Sequence, residues 1–305
     1  MSAEKVDDML MFCASCGIAE VDDIKLKKCN ACKSVRYCGV KCQREHRPQH
    51  KKNCKKRAAE LRDELLFKQP ESSYLGECPI CCLPLSIDPE YSTIMMCCSK
   101  KICNGCFHAN ERREMEASLI PSCSFCRQPV RAGDKLEKQR MKRIEVNDPA
   151  AMSQKGIELD KNGDHQSALT YFTKAAGLGD AEAHYWLSHL YHDGLGVEKD
   201  SRKEMHHLEE AAIGGHPGAR FNLGCEEKEN DNKERAVKHW IIAANLGDDD
   251  SIKALMYVYK AGLVEKEVIT AALRAHQAVV DATKSPQRDV AEEYYRLRDG
   301  LFSSN

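Results

Sequence analysis

Long apolar runs are missing from this 305-residue chain. No stretch approaches the roughly 18 residues that a membrane helix needs, so no span is expected. A secretory leader is missing too: the opening MSAEKVDDMLMFCASC has no basic region followed by an apolar core. Net charge is nearly absent, with 46 Lys and Arg against 47 Asp and Glu, so overall charge points to no partner class. Cysteine is almost absent from the second half: of 17, only Cys225 lies beyond Cys126. These absences suit a reducing compartment, cytoplasmic or nuclear, and argue against secretion.

Sixteen cysteines between residues 13 and 126 admit a disulfide scaffold or a metal protein. Most come as Cys-x2-Cys pairs, which suit tetrahedral chelation of one ion, and the odd total also favours metal. Zinc is the expected cofactor, about four ions per chain. The composition divides the sequence. Residues 1–12 form a leader expected to be disordered, 13–54 the first cysteine cluster and 78–130 the second. Within a linker over 55–77, KKRAAELRDELLF (55–67) sets Leu61, Leu65 and Leu66 at helical spacing and predicts a helix, broken at Pro70. A second linker covers 131–149. Helical periodicity rich in Ala, Leu, Gly, Tyr and His follows over 150–275, and 276–305 is expected to add a capping helix and tail. The fold class expected is small zinc-stabilised α+β modules followed by an all-α helical-repeat solenoid.

The repeat is visible directly. YFTKAAGLGDAEAHYWL (171–187), HLEEAAIGGHPGARFNL (207–223) and HWIIAANLGDDDSIKAL (239–255) align, with Ala-Ala pairs beginning at 175, 211 and 243. Periods of 36 and 32 mark stacked helix pairs. Alanine lets neighbouring helices approach, and the following glycines end one helix and allow the turn. The shorter spacing reflects a shorter connection, CEEKENDNKE (225–234) where the preceding unit has DGLGVEKD (193–200). LYHDGLGVEKD followed by EEAAIGGHPGA resembles Sel1-like repeats, relatives of the tetratricopeptide family. The resemblance implies a right-handed stack with a concave face for a protein partner.

The first cluster reads Cys13-x2-Cys16, Cys29-x2-Cys32, Cys38-x3-Cys42 and His50-x3-Cys54. Residues four apart share a helix face, so each of the last two pairs can reach one ion. Consecutive pairing would give two separate sites, alternate pairing two interlocked ones. KCNACKSVRYCGVKCQREHRPQHKKNC resembles the MYND zinc finger. That family's pairing implies one zinc on Cys13, Cys16, Cys38 and Cys42 and another on Cys29, Cys32, His50 and Cys54. His46 rivals His50, but Pro48 suits the first turn of a helix and would leave His46 ahead of it. The resemblance also implies binding of short proline-containing peptides. Lys41, Arg44, Arg47, Lys51, Lys52, Lys55, Lys56 and Arg57 lack interleaved aromatics, so they read as a solvated face and not as a nucleic-acid surface.

The second cluster reads Cys78-x2-Cys81, Cys97-Cys98, Cys103-x2-Cys106 and Cys123-x2-Cys126. CPIC, ICNGC and CSFCRQP together resemble a RING domain of the all-cysteine type. The implied cross-brace sets Cys78, Cys81, Cys103 and Cys106 on one zinc and Cys97, Cys98, Cys123 and Cys126 on the other. Lys100 stands where the common RING has histidine. Adjacent Cys97 and Cys98 need a turn to meet at one ion; failing that, Cys82 or His108 would complete the set. The resemblance further implies that Ile80, Phe107 and Pro129 touch a ubiquitin-conjugating enzyme carrying ubiquitin, and that Arg127 acts catalytically by bridging the two. The expectation is a RING-type E3 ubiquitin ligase, with a non-catalytic interaction scaffold as the alternative. A cysteine-based enzyme is disfavoured: only Cys82 and Cys225 remain, and neither has an evident base nearby.

Overall fold

The computed structural model describes residues 11–21, 23–130 and 134–302. Most of the expected leader (residues 1–10) and the end of the expected tail (303–305) lie outside the described residues. The chain divides into a unit ending at Lys68 and one beginning at Gln69.

In the first unit, β1 (Lys27–Lys28) pairs antiparallel with β2 (Arg36–Tyr37), Lys27 opposite Tyr37. Strands of two residues bury little, and the core is Leu26 and Tyr37 packed among Cys13, Cys29 and Cys32. Helix α1 spans Val40–Leu66. It therefore carries the end of the cysteine cluster as well as the helix expected over 55–67. Pro48 lies inside α1, not in its first turn, so the reason given for preferring His50 does not hold. A proline there forfeits one helical hydrogen bond on a mostly exposed stretch. The helix ends ahead of Pro70, with Phe67 as its cap.

The second unit opens with the cysteine module. A 3-10 turn at Pro89–Tyr91, capped by Asp88, leads into β3 (Ser92–Met95), which pairs antiparallel with β4 (Lys100–Cys103). Helix α2 (Asn104–Glu116) follows at once, with the Cys103 sulfur accepting the Cys106 N–H as its cap. The expected linker contains a helix, α3 (Asp134–Glu145), packed on the first solenoid helix.

The solenoid consists of helix pairs: α4 (Pro149–Lys161) with α5 (His165–Gly177), α6 (Ala181–Asp193) with α7 (Ser201–Ile213), α8 (Pro217–Glu229) with α9 (Lys233–Ala244), and α10 (Asp249–Lys260) with α11 (Lys266–Ala282). Successive pairs pack α5 on α6, α7 on α8 and α9 on α10. All six alanines of the repeated blocks are buried. Each block ends in the same turn. Asp180, His216 and Asp248 donate their N–H to the carbonyl of the block's first alanine, at 3.2, 3.0 and 3.1 Å. The residue before each is a glycine at φ 86°, 86° and 96°, a conformation other residues resist. The same Asp180, His216 and Asp248 side chains then accept an N–H of the next helix as N-caps. The shorter period has the expected source, residues 230–232 against 194–200, although 225–229 belong to α8.

Two further segments bind the cysteine module to the solenoid. Tyr74 donates its N–H to the Gly215 carbonyl at 3.1 Å and its phenol to Glu182. The His216 ring lies between Tyr74 and Tyr185, with centroids 4.5 and 4.1 Å away. Helix α12 (Pro286–Phe302), expected to cap the solenoid, packs instead along α2. Tyr294 covers His108 at 4.5 Å, and the Tyr295 hydroxyl donates to Glu111 at 3.0 Å.

Candidate metal centres

Four turns in the two cysteine modules share one backbone form. In Cys13-x2-Cys16-Gly17, Cys29-x2-Cys32-Lys33, Cys78-x2-Cys81-Cys82 and Cys123-x2-Cys126-Arg127, the fifth residue donates its N–H to the first residue's carbonyl, at 2.9, 3.0, 2.9 and 3.0 Å. That fifth residue takes φ of 72°, 55°, 56° and 61° respectively. The turn aims both thiols the same way. A fifth turn, Met95–Ser99, has the same closure: Ser99 donates to the Met95 carbonyl at 2.7 Å and sits at φ 55°. Buried Met95 takes the place of the first cysteine and Cys98 that of the second, with Cys97 immediately before Cys98. This is how adjacent cysteines meet at one centre.

The structure gathers four groups, each with its ligand atoms within 4.8 Å of one another: Cys13, Cys16, Cys38 and Cys42; Cys29, Cys32, His50 and Cys54; Cys78, Cys81, Cys103 and Cys106; Cys97, Cys98, Cys123 and Cys126. Both modules are interlocked rather than strung in sequence. Sulfurs held about 2.3 Å from a tetrahedral zinc stand about 3.8 Å apart. The Sγ separations are 3.6 Å for Cys16 and Cys38, 3.7 Å for Cys29 and Cys54, 3.8 Å for Cys81 and Cys103, and 3.9 Å for Cys98 and Cys123. All lie far beyond a disulfide bond of about 2 Å. His50 Nε2 stands 3.3 Å from Cys32 Sγ. His46, stacked on His50, turns its Nδ1 to the Tyr37 hydroxyl at 3.1 Å. Cys82 is exposed and His108 is buried under α12, both outside the clusters.

The donor sets suit zinc, and the backbone prepares them for it. Cys106 donates its N–H to Cys103 Sγ at 3.5 Å, and Phe125 and Cys126 donate theirs to Cys123 Sγ at 3.4 Å. Burial opposes ionisation of Cys13, yet N–H groups of Cys16, Cys38 and Ser15 outweigh it and pull its thiol down to about 6. A hydrogen bond from Cys103, more than burial, sets Cys78, which falls to about 4. Their neighbours are shifted the other way, a hydrogen bond with Cys42 pushing Cys38 up to about 12 and burial pushing Cys106 up to about 12, so zinc binding must release the protons that those thiols hold. The chain binds multiple zinc ions, about four, and closed sites of this kind hold structure together rather than perform chemistry.

Of the expected enzyme-facing residues, Ile80 is 42% exposed, and Arg127 and Pro129 are exposed. Phe107 is half-buried against the module's core. The Arg127 guanidinium donates to the Asn110 side-chain oxygen. Asn110 was not anticipated, nor was Glu114, a buried carboxylate that accepts the Ser122 N–H and hydroxyl. Burial opposes its charge, but the Ser122 bonds win and hold its pKa below the usual carboxylate range. Arg288 of α12, which reaches Cys81, had no signal in the sequence at all. In the first unit, a groove of about 490 Å³ lies between the Cys29–Cys32 turn and α1, edged by Arg44, Arg47, Lys51 and Lys55.

These centres and the repeat define a zinc-binding protein built from interaction modules. Residues 13–54 match the MYND finger, and 150–180, 181–216 and 219–248 match the Sel1 repeat. The chain thus carries a MYND finger and Sel1 repeats, and its second cysteine module is consistent with a RING-like finger. Over 61 residues, 20% of this chain, it is 39% identical to the chitin synthase regulator SKT5 of Saccharomyces cerevisiae, a match spanning 9% of that protein. Two solved structures are similar. One is a Sel1 repeat protein from Oxalobacter formigenes, at 19% identity and TM-score 0.41, over 48% of this chain and 64% of that one. The other is a protective antigen of uropathogenic Escherichia coli displaying an SLR fold, at 19% identity and TM-score 0.39, over 54% and 37%. No helix among the described residues is long and apolar enough to cross a membrane.

Proposed function

We propose that this chain is a RING-type E3 ubiquitin-protein ligase of the cytoplasm or nucleus, with modules at 13–54 and 150–275 that recruit protein partners. The observation that carries this reading is the second module's pair of interlocked four-cysteine clusters, with Ile80, Arg127 and Pro129 left on its exterior. Such a ligase forms no covalent intermediate. It holds a ubiquitin-conjugating enzyme carrying ubiquitin so that the thioester adopts one reactive arrangement, lowering the entropic part of the barrier. Ile80 and Pro129 supply apolar contact to the enzyme, and the accessible edge of Phe107 adds to it. Arg127 hydrogen-bonds to enzyme and ubiquitin together, which its planar fork of donors permits.

One contact favours the scaffold reading instead. Asn110 already accepts from Arg127, so the guanidinium can be read as a tie between the last knuckle and α2. Single-turnover discharge of ubiquitin-loaded conjugating enzymes onto free lysine separates the two. Arg127→Ala slows discharge about tenfold to a hundredfold, the loss of one charged hydrogen bond at about 1.5–3 kcal/mol, with enzyme binding retained. Ile80→Ala weakens the binding itself. No acceleration by the wild type across a broad enzyme panel ends the ligase reading in favour of the scaffold. At the MYND finger, the groove walled by Val40 and Ala58 suits a short proline-containing peptide better than nucleic acid.

A further inference from the structure

Arg288 reaches the cluster of Cys78, Cys81, Cys103 and Cys106 from 207 positions away in sequence. Its Nη2 donates to Cys81 Sγ at 3.4 Å and to the Leu83 carbonyl at 3.2 Å. Its Nη1 donates to the carbonyls of Pro84 and Thr283, each at 2.6 Å. One planar group of α12 therefore holds a metal-ligand sulfur, the loop leaving that ligand, and the C-terminal cap of α11. The approach is close: a Cβ on Gly105, which lies between Cys103 and Cys106, would stand 2.9 Å from Arg288 Cγ. Gln287 fastens the same spot by donating to the Gly105 carbonyl at 3.1 Å.

We propose that Arg288 is a positioning residue for zinc at this cluster, and that α12 is in consequence part of the cysteine module rather than of the solenoid. The proposal rests on zinc occupying Cys78, Cys81, Cys103 and Cys106. Four thiolates around Zn²⁺ leave a net charge of about −2, and here Cys78, Cys103 and Cys106 are buried, with Cys81 partly exposed. A guanidinium bonded to one sulfur offsets part of that charge and holds the sulfur in place beside the other three ligands. Its bonds to the Leu83 and Pro84 carbonyls fix the loop that aims Cys81. Partners of this kind typically contribute about 10–100-fold to metal affinity. The last helix of the chain thereby governs zinc retention at a centre formed near residue 80.

The test uses the full-length zinc-loaded protein and a chromophoric chelator, following the release of each ion with time. In Arg288→Gln, one of the four ions leaves about 10–100-fold faster, the others keep wild-type rates, and the helical circular dichroism is unchanged. Arg288→Lys, with the charge but not the fork, falls between. Tyr294→Ala, which loosens α12 from α2 without touching the cluster, speeds the same ion. Release of all four ions at wild-type rates from Arg288→Gln overturns the role of Arg288, even if its melting temperature drops. Joint release of all four with loss of helix overturns it too, since that is unfolding. If Cys78→Ser leaves the zinc count of the wild type unchanged, zinc at this cluster fails, and the proposal with it.

Discussion

His216 stands where the neighbouring repeats have Asp180 and Asp248, and that substitution predicts a pH dependence. Its Nδ1 accepts the Ala219 N–H at 3.2 Å, so the cap requires a neutral ring. Burial, 6% exposure between Tyr74 and Tyr185, disfavours the imidazolium most strongly; Glu182 at 3.9 Å opposes this, while His189 and Lys101 reinforce it. The pKa falls from 6.5 to about 4. A histidine held neutral binds fewer protons folded than unfolded. Its stabilisation is therefore complete above the unfolded pKa and is lost as pH falls from there through the folded value. Between pH 7.5 and 5.5 the unfolded chain gains most of one proton and the folded chain almost none, a cost of about 1.4 kcal/mol. Urea unfolding of wild type and His216→Asn at both pH values measures it. Asparagine caps well and does not titrate. Losing the ring stack lowers the variant's stability at both pH values, while every other titration, thiolates included, is shared. The wild type should lose about 1.4 kcal/mol more than the variant across the interval. Equal losses would refute a neutral, buried His216.

Elemental analysis should find about four zinc ions, and chelation should unfold 13–54 and 78–130 while α4–α11 stay helical by circular dichroism and proteolysis; two ions or fewer removes one module. Each structural zinc contributes about 10–16 kcal/mol, more than cores of this size supply. Cys97→Ser and Cys98→Ser should each lower the zinc count by one, and Cys82→Ser should leave it unchanged; a loss in the last would bring Cys82 into the cluster. Gly156→Ala places a methyl 2.6 Å from the Phe172 ring. Overpacking of about 1–3 kcal/mol should exceed the helix-propensity gain of about 1 kcal/mol, so the melting temperature falls; a rise would mean that Phe172 repacks freely.

The parts of this protein that rest on short-range chemistry were legible in its sequence. Ligands three or four positions apart announce a chelating turn or helix face, because that local geometry itself brings them together. The Ala-Ala blocks announce stacked helices, because the helical period and the glycine turn repeat with each unit. Even the adjacent Cys97 and Cys98 could be read as needing a turn, though not that Met95 would occupy its first position. Local reasoning failed where two local rules competed. Pro48 suggested a helix start, but cluster ligands at both ends of Cys42–Cys54 hold one continuous helix through it, and Tyr37 decides that His46 turns away from the metal cluster. The contacts that join the modules left no trace at all. Tyr74 on His216 and Arg288 on Cys81 link residues 142 and 207 apart, counting from Tyr74 to His216 and from Cys81 to Arg288. Such pairs obey no period and need only complementary shape and charge at one point in space. That α12 belongs with the cysteine module, and that an imidazole replaces a carboxylate as the α8 cap, became decidable only once the chain had folded back on itself.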